Sequence, residues 1–308
     1  MPLVALVLTS SPAAPALSAL TVERCLDAIG REAVRQTRWL APVEAWEATF
    51  TATNPHIAMA VRDAMRATLN GLSIDVNVVS AEPDERRKRL LVADMESTII
   101  EQECLDELAE RVGLRPRIAA ITERAMRGEL DFEAAIKERV GLLAGLDASV
   151  LQEIYDARVT LMPGADRLVA TMRRAGAFCA LVSGGFSFFT ERIAAQLGFG
   201  DQQANRLDIA AGKLTGRVLE PILGREAKLA ALERYSAGLG LTASAALAVG
   251  DGANDLAMIK AAGLGVAFRA KPIVAAEAAV SIRHGDLTSL LFLQGYPVEE
   301  HVHAATPD

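Results

Sequence analysis

The sequence predicts an α/β protein whose core is an open, doubly wound parallel sheet with a helical cap inserted after its first strand, preceded by a smaller α+β module. Three observations carry this. Short apolar runs at residues 90–93, 178–182 and 245–249 have the length and continuity of strands buried on both faces. Each leads at once into a polar cluster: Asp94-Met-Glu-Ser-Thr98, Ser183-Gly-Gly-Phe186 and Gly250-Asp-Gly-Ala-Asn-Asp255. Open parallel sheets collect ligands outside the carboxyl ends of their strands. Carboxylates placed there are poised for chemistry or metal, since a core does not tolerate them unpaired.

A length of 308 residues suggests roughly two domains. With 51% apolar residues, the chain can bury a sizeable core. Its net charge of −7, with both signs interspersed, argues against broad nucleic-acid binding. No uncharged apolar run reaches the ~18 residues of a membrane span, and the apolar start lacks the basic flank of a signal peptide. Cys25, Cys104 and Cys179 are odd in number and far apart, as expected of small core residues in a reduced, cytoplasmic protein. His56, His284, His301 and His303 show no ligand spacing, so no histidine metal site is expected.

Residues 3–8 read as the first strand. Thr21 is the expected N-cap of a helix reaching Ile29, with Leu26 and Ile29 on one face. Two extended segments follow at 34–40 and 45–51. Asn54-Pro55 starts a helix that Asn70-Gly71 ends. Ile74, Val76 and Val78 alternate with polar residues as a half-buried strand. The order β-α-β-β-α-β is the split motif of ferredoxin-like modules. It holds no clustered carboxylates and no glycine-rich phosphate loop, so packing or dimerisation is its expected use and binding a small regulatory ligand the rival.

Residues 81–89 combine a proline with dense mixed charge and have nothing to bury, which marks a boundary between domains at 1–83 and 90–308. The four basic residues at 86–89 read as a solvated linker rather than a nucleic-acid patch. After the first core strand, helices are predicted at 102–112, 117–127, 132–143 and 149–159, with Asp131 and Asp147 where N-caps belong. This insertion, residues 101–161, would hang over the strand ends as a lid. At about 100° per residue, Phe132, Ile136, Val140 and Leu143 share a face, and Arg139 falls in its middle. A guanidinium there either snorkels to the edge or meets an anion.

Met162-Pro163-Gly164 turns the chain back, and a helix to Arg174 leads into the second core strand. Ser183, Gly184 and Gly185 can present a hydroxyl and amides to a phosphate, or simply make a turn. Residues 207–209 and 214–218 read as a hairpin around Gly212-Lys213. Lys228 lies near the start of a helix at 225–235, where a lone lysine is ordinarily solvated. The acidic loop at 250–255 is too poor in ligands for an EF-hand, but a few carboxylates from separate loops suit Mg²⁺, which keeps several waters. A short strand at 266–268, a helix at 287–293 and a polar tail complete the chain.

Joined at one sheet mouth, these clusters would form a phosphoryl-transfer site. Asp94 and Asp251 can share Mg²⁺, with Asp255 and Asn254 behind them. Asp94 can attack phosphorus and form an aspartyl-phosphate, splitting one displacement into two. Ser183, the Gly184 and Gly185 amides and Lys228 would bind the equatorial oxygens. Glu96 would protonate the leaving alkoxide and then deprotonate the attacking water.

The four ordered motifs, Asp94-Met-Glu-Ser-Thr98, Ser183-Gly-Gly185, Lys228 and Gly250-Asp-Gly-Ala-Asn-Asp255, resemble those of the haloacid dehalogenase (HAD) superfamily. The likeness spans about residues 89 to 295 and extends to the phosphoserine phosphatase family. That family's first motif reads Asp-x-Asp-Ser-Thr, a glutamate follows its second aspartate, and its cap holds a phenylalanine and an Arg-Val pair; here Glu103, Phe132, Arg139 and Val140 occupy those places. The resemblance implies a HAD-like core, Mg²⁺ as cofactor and O-phospho-L-serine as substrate, in the last step of serine biosynthesis. It makes Asp94 the nucleophile and metal ligand, with Asp251 on the metal, Asp255 close by, and the metal also taking the main-chain oxygen of residue 96. Ser183 and Lys228 would hold phosphate, Glu103 the substrate ammonium and Arg139 its carboxylate. The first domain resembles ACT-like modules, which implies serine as a candidate regulator and a homodimer through that domain.

One position departs from the pattern. The family's general acid/base is aspartate, and here it is Glu96, whose extra methylene shifts the acid by on the order of 1 Å, enough for about a hundredfold in rate. Either the backbone adjusts, the enzyme is slow, or its substrate differs; on the resemblance alone, Glu96→Asp should preserve or raise activity. Two other readings stay open: a HAD-type phosphatase or phosphotransferase for another small phosphate ester, and an amino-acid-binding regulator with a weak core. A Rossmann oxidoreductase is disfavoured, because no G-x-G-x-x-G follows the first strand of either domain.

Overall fold

The computed structural model describes residues 2–52, 54–127, 129–224 and 226–302. The first module runs β1 (Leu3–Ser10), α1 (Ala19–Ile29), β2 (Val34–Ala41), β3 (Ala45–Thr51), α2 (Pro55–Thr68) and β4 (Ile74–Ser80). Its strands lie in the order β2-β3-β1-β4 with every neighbouring pair antiparallel. Alternation along β1 serves two interfaces. Leu6 and Leu8 pack with Val22, Cys25, Met65 and Leu69 under the module's own helices. Ala5 and Val7 turn the other way and join the apolar core of the rest of the chain.

Three sequence expectations are corrected in this module. The cap of α1 is Ser18, whose Oγ accepts the Thr21 N–H at 3.1 Å, so Thr21 sits in the first turn. In β4 the polar residues Asp75 and Asn77 are buried rather than solvated. They face β11 (Val280–Ile282), and β4 and β11 are the edge strands of the two sheets. The Asp75 carboxylate accepts the N–H groups of Arg283 (2.8 Å), His284 (3.0 Å) and Gly285 (2.8 Å), while the Asn77 amide exchanges two 3.0 Å bonds with the main chain of Ser281. Side chains of one edge thus satisfy main-chain groups of the other, which leaves neither edge open. The linker, including the short helix α3 (Pro83–Arg86), is likewise packed: Arg86 pairs with the buried Glu47, and the Lys88 ammonium donates to the carbonyls of Glu85 (2.5 Å) and Ser244 (2.9 Å).

Asp75→Ala is therefore expected to remove about 2–3 kcal/mol, since three N–H groups, that of the buried Gly285 among them, lose a buried charged acceptor. The check is a thermal midpoint several degrees lower with activity at 25 °C retained. An unchanged midpoint would show that Asp75 does not anchor the first module.

The second part opens with β5 (Leu90–Ala93) and the cap helices α4 (Cys104–Arg111), α5 (Arg115–Met126), α6 (Phe132–Gly141) and α7 (Ser149–Arg158). It continues with α8 (Ala165–Arg174), β6 (Phe178–Phe186), α9 (Ser187–Leu197), β7 (Asp201–Ala210), β8 (Lys213–Leu219) and α10 (Ala227–Gly238). Next come β9 (Ala246–Gly250), α11 (Leu256–Ala261), β10 (Leu264–Phe268), α12 (Pro272–Glu277), β11 and α13 (Ser289–Leu293). The sheet order is β11-β10-β9-β5-β6-β7-β8, parallel except for the β7–β8 pair. The chain starts at the centre with β5, moves outward through β6 and β7, then crosses back to β9 on the other side. This is a doubly wound α/β sheet whose switch point lies between β5 and β9. Ala93 stands opposite both Val249 and Leu181, so the polar clusters leave the sheet at one level.

The cap leaves and returns through a neck where Ile100 pairs with Leu161. On its far side the cap joins β8, with Gly145 N–H on Leu214 O (2.8 Å) and Leu214 N–H on Leu146 O (2.9 Å). Asp131 caps α6 through the Ala134 N–H at 2.7 Å, and Asp147 accepts the Ser149 N–H at 2.9 Å just ahead of α7. The expected hairpin is longer than its sequence pattern: β7 begins at Asp201 and also pairs with β6 in the parallel sheet. The three-residue β11 is too short for periodicity to reveal. The tail is packed as far as Val302, whose N–H bonds Thr171 Oγ1 at 3.0 Å, and His301 lies against Phe292. Arg225 and His303 lie outside the described residues. All three cysteines are free and buried, and no helix among the described residues is long and apolar enough to cross a membrane.

Candidate active site

Asp94 leaves β5 and Asp251 leaves β9, on the two sides of the switch point, and Asp94 N–H bonds Val249 O at 3.0 Å. Asp94, Asp251 and Asp255 each bring a carboxylate oxygen within 4.8 Å of the others. Asp255 is buried deepest: one oxygen meets Lys228 at 2.5 Å and the other accepts the Gly252 N–H at 2.9 Å. Gly250 must be glycine here, since a Cβ would collide with the Asp255 carboxyl. Lys228 also reaches Asp94 at 2.6 Å. The expectation of a solvated lysine is thus corrected: Lys228 is 3% exposed, on the inner face of α10.

Charge decides what this cluster can hold. Three carboxylates against the one ammonium that pairs with them among the described residues leave two negative charges in excess. Burial pushes Asp94 well above the usual carboxylate range, opposed by Lys228 and reinforced by Asp255. Burial likewise takes Asp251 up to about 6, with the Asp255 and Glu103 charges adding to it. Burial works against the charge on Lys228, but Asp94 and Asp255 outweigh it and hold the ammonium above its ordinary range. A hard divalent cation with oxygen ligands is what such a donor set fits.

Next to the acids, Ser183, Gly184 and Gly185 interrupt the β6–β7 ladder, which passes from Val182/Gln203 to Phe186/Asn205. Ser183 is buried, and its Oγ accepts the Gly185 N–H at 2.9 Å. A Cβ on Gly184 would lie 3.4 Å from the Phe132 ring, so the cap closes directly over this loop. Asn205, which sequence reasoning passed over, bonds Gly184 O through Nδ2 at 2.8 Å. A polar residue within a short alternating stretch carries no signal of that contact.

Glu96 is accommodated by its surroundings. Its Oε1 accepts the Cys104 N–H, the first amide of α4, at 2.8 Å, and its carboxylate lies where a Cβ on Gly185 would come within 2.7 Å. The extra methylene thus bridges the Ser183–Gly185 loop and the first cap helix. Burial and the Glu103 charge push Glu96 up to about 7, against the Cys104 N–H. These contacts argue for the opposite sign from the one the sequence suggested: Glu96→Asp is expected to give up the Cys104 bond and retreat from Gly185. A fall in kcat of roughly tenfold to a hundredfold, with KM little changed, is expected. Activity equal to the parent's would mean the Cys104 contact does not set the acid's position.

Glu103 is the N-cap residue of α4 and accepts the Ser97 hydroxyl at 2.7 Å. Arg139 is half-buried on α6, donates Nε to Ala135 O at 3.2 Å, and forms no ion pair among the described residues. The negative charges acting on it include Glu96 and Glu103. Asn254, half-buried, sits in the acidic loop between Gly252 and Asp255. Asp94, Lys228, Asp251 and Asp255 thus meet in one cluster, Glu96 bridges Gly185 and the start of α4, and Glu103 stands at the N-cap of α4 on the Ser97 hydroxyl. Cys104 and Asn205 add contacts that local pattern did not mark.

The haloacid dehalogenase-like hydrolase family model matches residues 91–260. A phosphoserine phosphatase of Streptomyces coelicolor is 44% identical over 240 residues, which is 78% of this chain and 58% of that relative's length. One of Streptococcus thermophilus is 45% identical over 204 residues, 66% of this chain and 94% of the relative. The solved structure of a probable phosphoserine phosphatase from Vibrio cholerae superposes with a TM-score of 0.76 at 30% identity, covering 96% of this chain and 88% of that one. The chain belongs to the haloacid dehalogenase-like hydrolase family, in its phosphoserine phosphatase branch.

Proposed function

We propose that the protein is a Mg²⁺-dependent phosphoserine phosphatase, releasing L-serine and phosphate from O-phospho-L-serine through a phosphorylated Asp94. The observation that carries this reading is a half-buried Arg139 that forms no ion pair among the described residues and feels the Glu96 and Glu103 charges, on a cap whose Phe132 lies over Gly184. A phosphomonoester that also bears a carboxylate and an ammonium makes use of both cap charges; a simple ester leaves them idle.

Asp94, Asp251 and the main-chain oxygen of Glu96, with Asp255 alongside, would hold Mg²⁺, which would supply neutralisation of the phosphate charge. An oxygen of Asp94 attacks phosphorus as the serine oxygen leaves, and Glu96 gives that oxygen its proton. Ser183, the Gly184 and Gly185 amides and Lys228 hold the remaining phosphoryl oxygens, with Asn254 at the rim. Glu96, now ionised, takes a proton from water, which attacks phosphorus and frees Asp94. Burial keeps Glu96 near neutrality, so one group serves as acid and then as base.

The test is phosphate release from L-phosphoserine with and without Mg²⁺, beside phosphoglycolate and phosphoglycerate. Release from the other esters but not from phosphoserine would overturn the substrate. Arg139→Ala is expected to raise KM for phosphoserine by about 10- to 100-fold, the worth of a hydrogen bond to a charged group. KM for p-nitrophenyl phosphate should move less than about twofold. Equal losses on both substrates would remove Arg139 from carboxylate recognition.

The same reading assigns residues 1–83 to an ACT-like domain, residues 90–308 to the phosphatase core and residues 101–161 to its cap. It makes the first domain a site for serine feedback and for homodimer contact, in a cytoplasmic enzyme of serine biosynthesis. Serine titration of the full chain, with sedimentation in parallel, tests both; activity and mass indifferent to serine and concentration would remove them.

A further inference from the structure

We propose that Asn205 is the positioning residue of the phosphate cradle: its amide aims the Gly185 N–H at the phosphoryl group and ties that loop to the segment carrying Lys228. The inference rests on the phosphatase reading above. Asn205 is 1% exposed, on β7, where the ladder to β6 is broken by the three residues 183–185. Such a bulge leaves main-chain groups without ladder partners and lets them be re-aimed. Nδ2 of Asn205 takes one of them, the Gly184 carbonyl, at 2.8 Å.

The peptide between Gly184 and Gly185 is planar and trans, so its C=O and N–H point in opposite directions. Fixing the Gly184 oxygen on Asn205 therefore turns the Gly185 N–H to the other side. There it meets Ser183 Oγ at 2.9 Å, the hydroxyl assigned to phosphate. Without Asn205 this glycine-rich peptide keeps only the Ser183 Oγ bond on one side, and a donor that must be preorganised becomes one that must be ordered at each turnover.

The rest of the side chain holds the second half of the cradle. Oδ1 accepts the Leu223 N–H at 2.7 Å, and Nδ2 also reaches Leu223 O at 3.4 Å. Leu223 lies in the short segment before α10, whose first turn bears Lys228. An amide is the one side-chain type that offers an acceptor and two donors without charge. Aspartate would keep the acceptor for Leu223 but set a carboxylate against two carbonyls, beside a site that binds an anion.

The experiment compares Asn205→Ala and Asn205→Asp with the parent. It measures kcat on p-nitrophenyl phosphate, inhibition by inorganic phosphate, thermal midpoint, and the ratio of KM for phosphoserine to KM for p-nitrophenyl phosphate. In both variants kcat should fall by about 10²-fold, the usual effect of losing one oxyanion donor. Inhibition by phosphate should weaken about tenfold or more, while the KM ratio, set by the cap, stays within about twofold. Asn205→Asp keeps the side-chain shape and the Leu223 N–H contact, and it carries the test if Asn205→Ala does not fold. Phosphate inhibition and kcat within about twofold of the parent in a folded variant would overturn the proposal. So would a change in the KM ratio as large as the change in phosphate inhibition, which is what general loosening of the fold produces. A parent that hydrolyses p-nitrophenyl phosphate but not phosphoserine sinks the substrate reading instead, and kcat and phosphate inhibition still test Asn205.

Discussion

Asp94→Asn should yield a folded protein that releases phosphate at least on the order of 10⁴-fold more slowly than the parent, because a neutral amide of the same shape has no anionic oxygen for phosphorus. Stability at neutral pH should not fall with activity. The parent holds three carboxylates around Lys228, and burial keeps the Asp94 carboxyl well above its usual range. A raised carboxyl contributes stability below its unfolded pKa and loses that contribution as pH rises through the folded one, so ionised Asp94 is a cost at pH 7. The amide removes the cost, while Asp255 remains to pair with Lys228. Parent and variant should therefore converge in stability toward acid pH. Phosphate release and thermal scans from pH 4 to 8 check both halves. Residual activity within a hundredfold of the parent would end the role of Asp94 as nucleophile.

Lys228→Met is expected to damage both properties. The ammonium stands between Asp94 and Asp255 at 2.6 and 2.5 Å with almost no solvent, so its removal leaves two buried carboxylates facing each other. Breaking a buried pair in this way costs about 3–5 kcal/mol, and the loss of a cation at the phosphoryl oxygens about 10²–10³ in kcat. Asp94 will then resist ionisation more strongly than in the parent, because the Lys228 charge that opposes its burial is gone. The stability gap should be small at pH 5 and widen toward pH 8. Lys228 itself adds no slope there, since its contribution is lost only above its raised pKa. Added Mg²⁺ should recover part of the thermal midpoint by replacing the missing charge. A variant as stable as the parent at pH 8 in the absence of metal would show that the ion pairs contribute nothing to the fold.

The amino-acid sequence by itself determined the three central strands, the placement of the cap after the first of them and the kinds of side chain at each strand end. These are local properties: an apolar run of strand length, a cap residue such as Asp131 before a helix, an acid or glycine at a fixed offset. Tertiary structure decided where the polar residues go. Asp75 and Asn77 alternate in sequence like solvent-facing residues, yet they are buried because another sheet's edge lies opposite. Lys228 looks like a surface lysine until α10 turns it toward Asp94 and Asp255. Glu96 looks misplaced until the Cys104 amide and the bare Gly185 make room for it. In each case the deciding partner lies beyond the reach of local pattern: a polar side chain's free energy depends on who meets it after the chain has crossed its own sheet, and periodicity records only which face it leaves from.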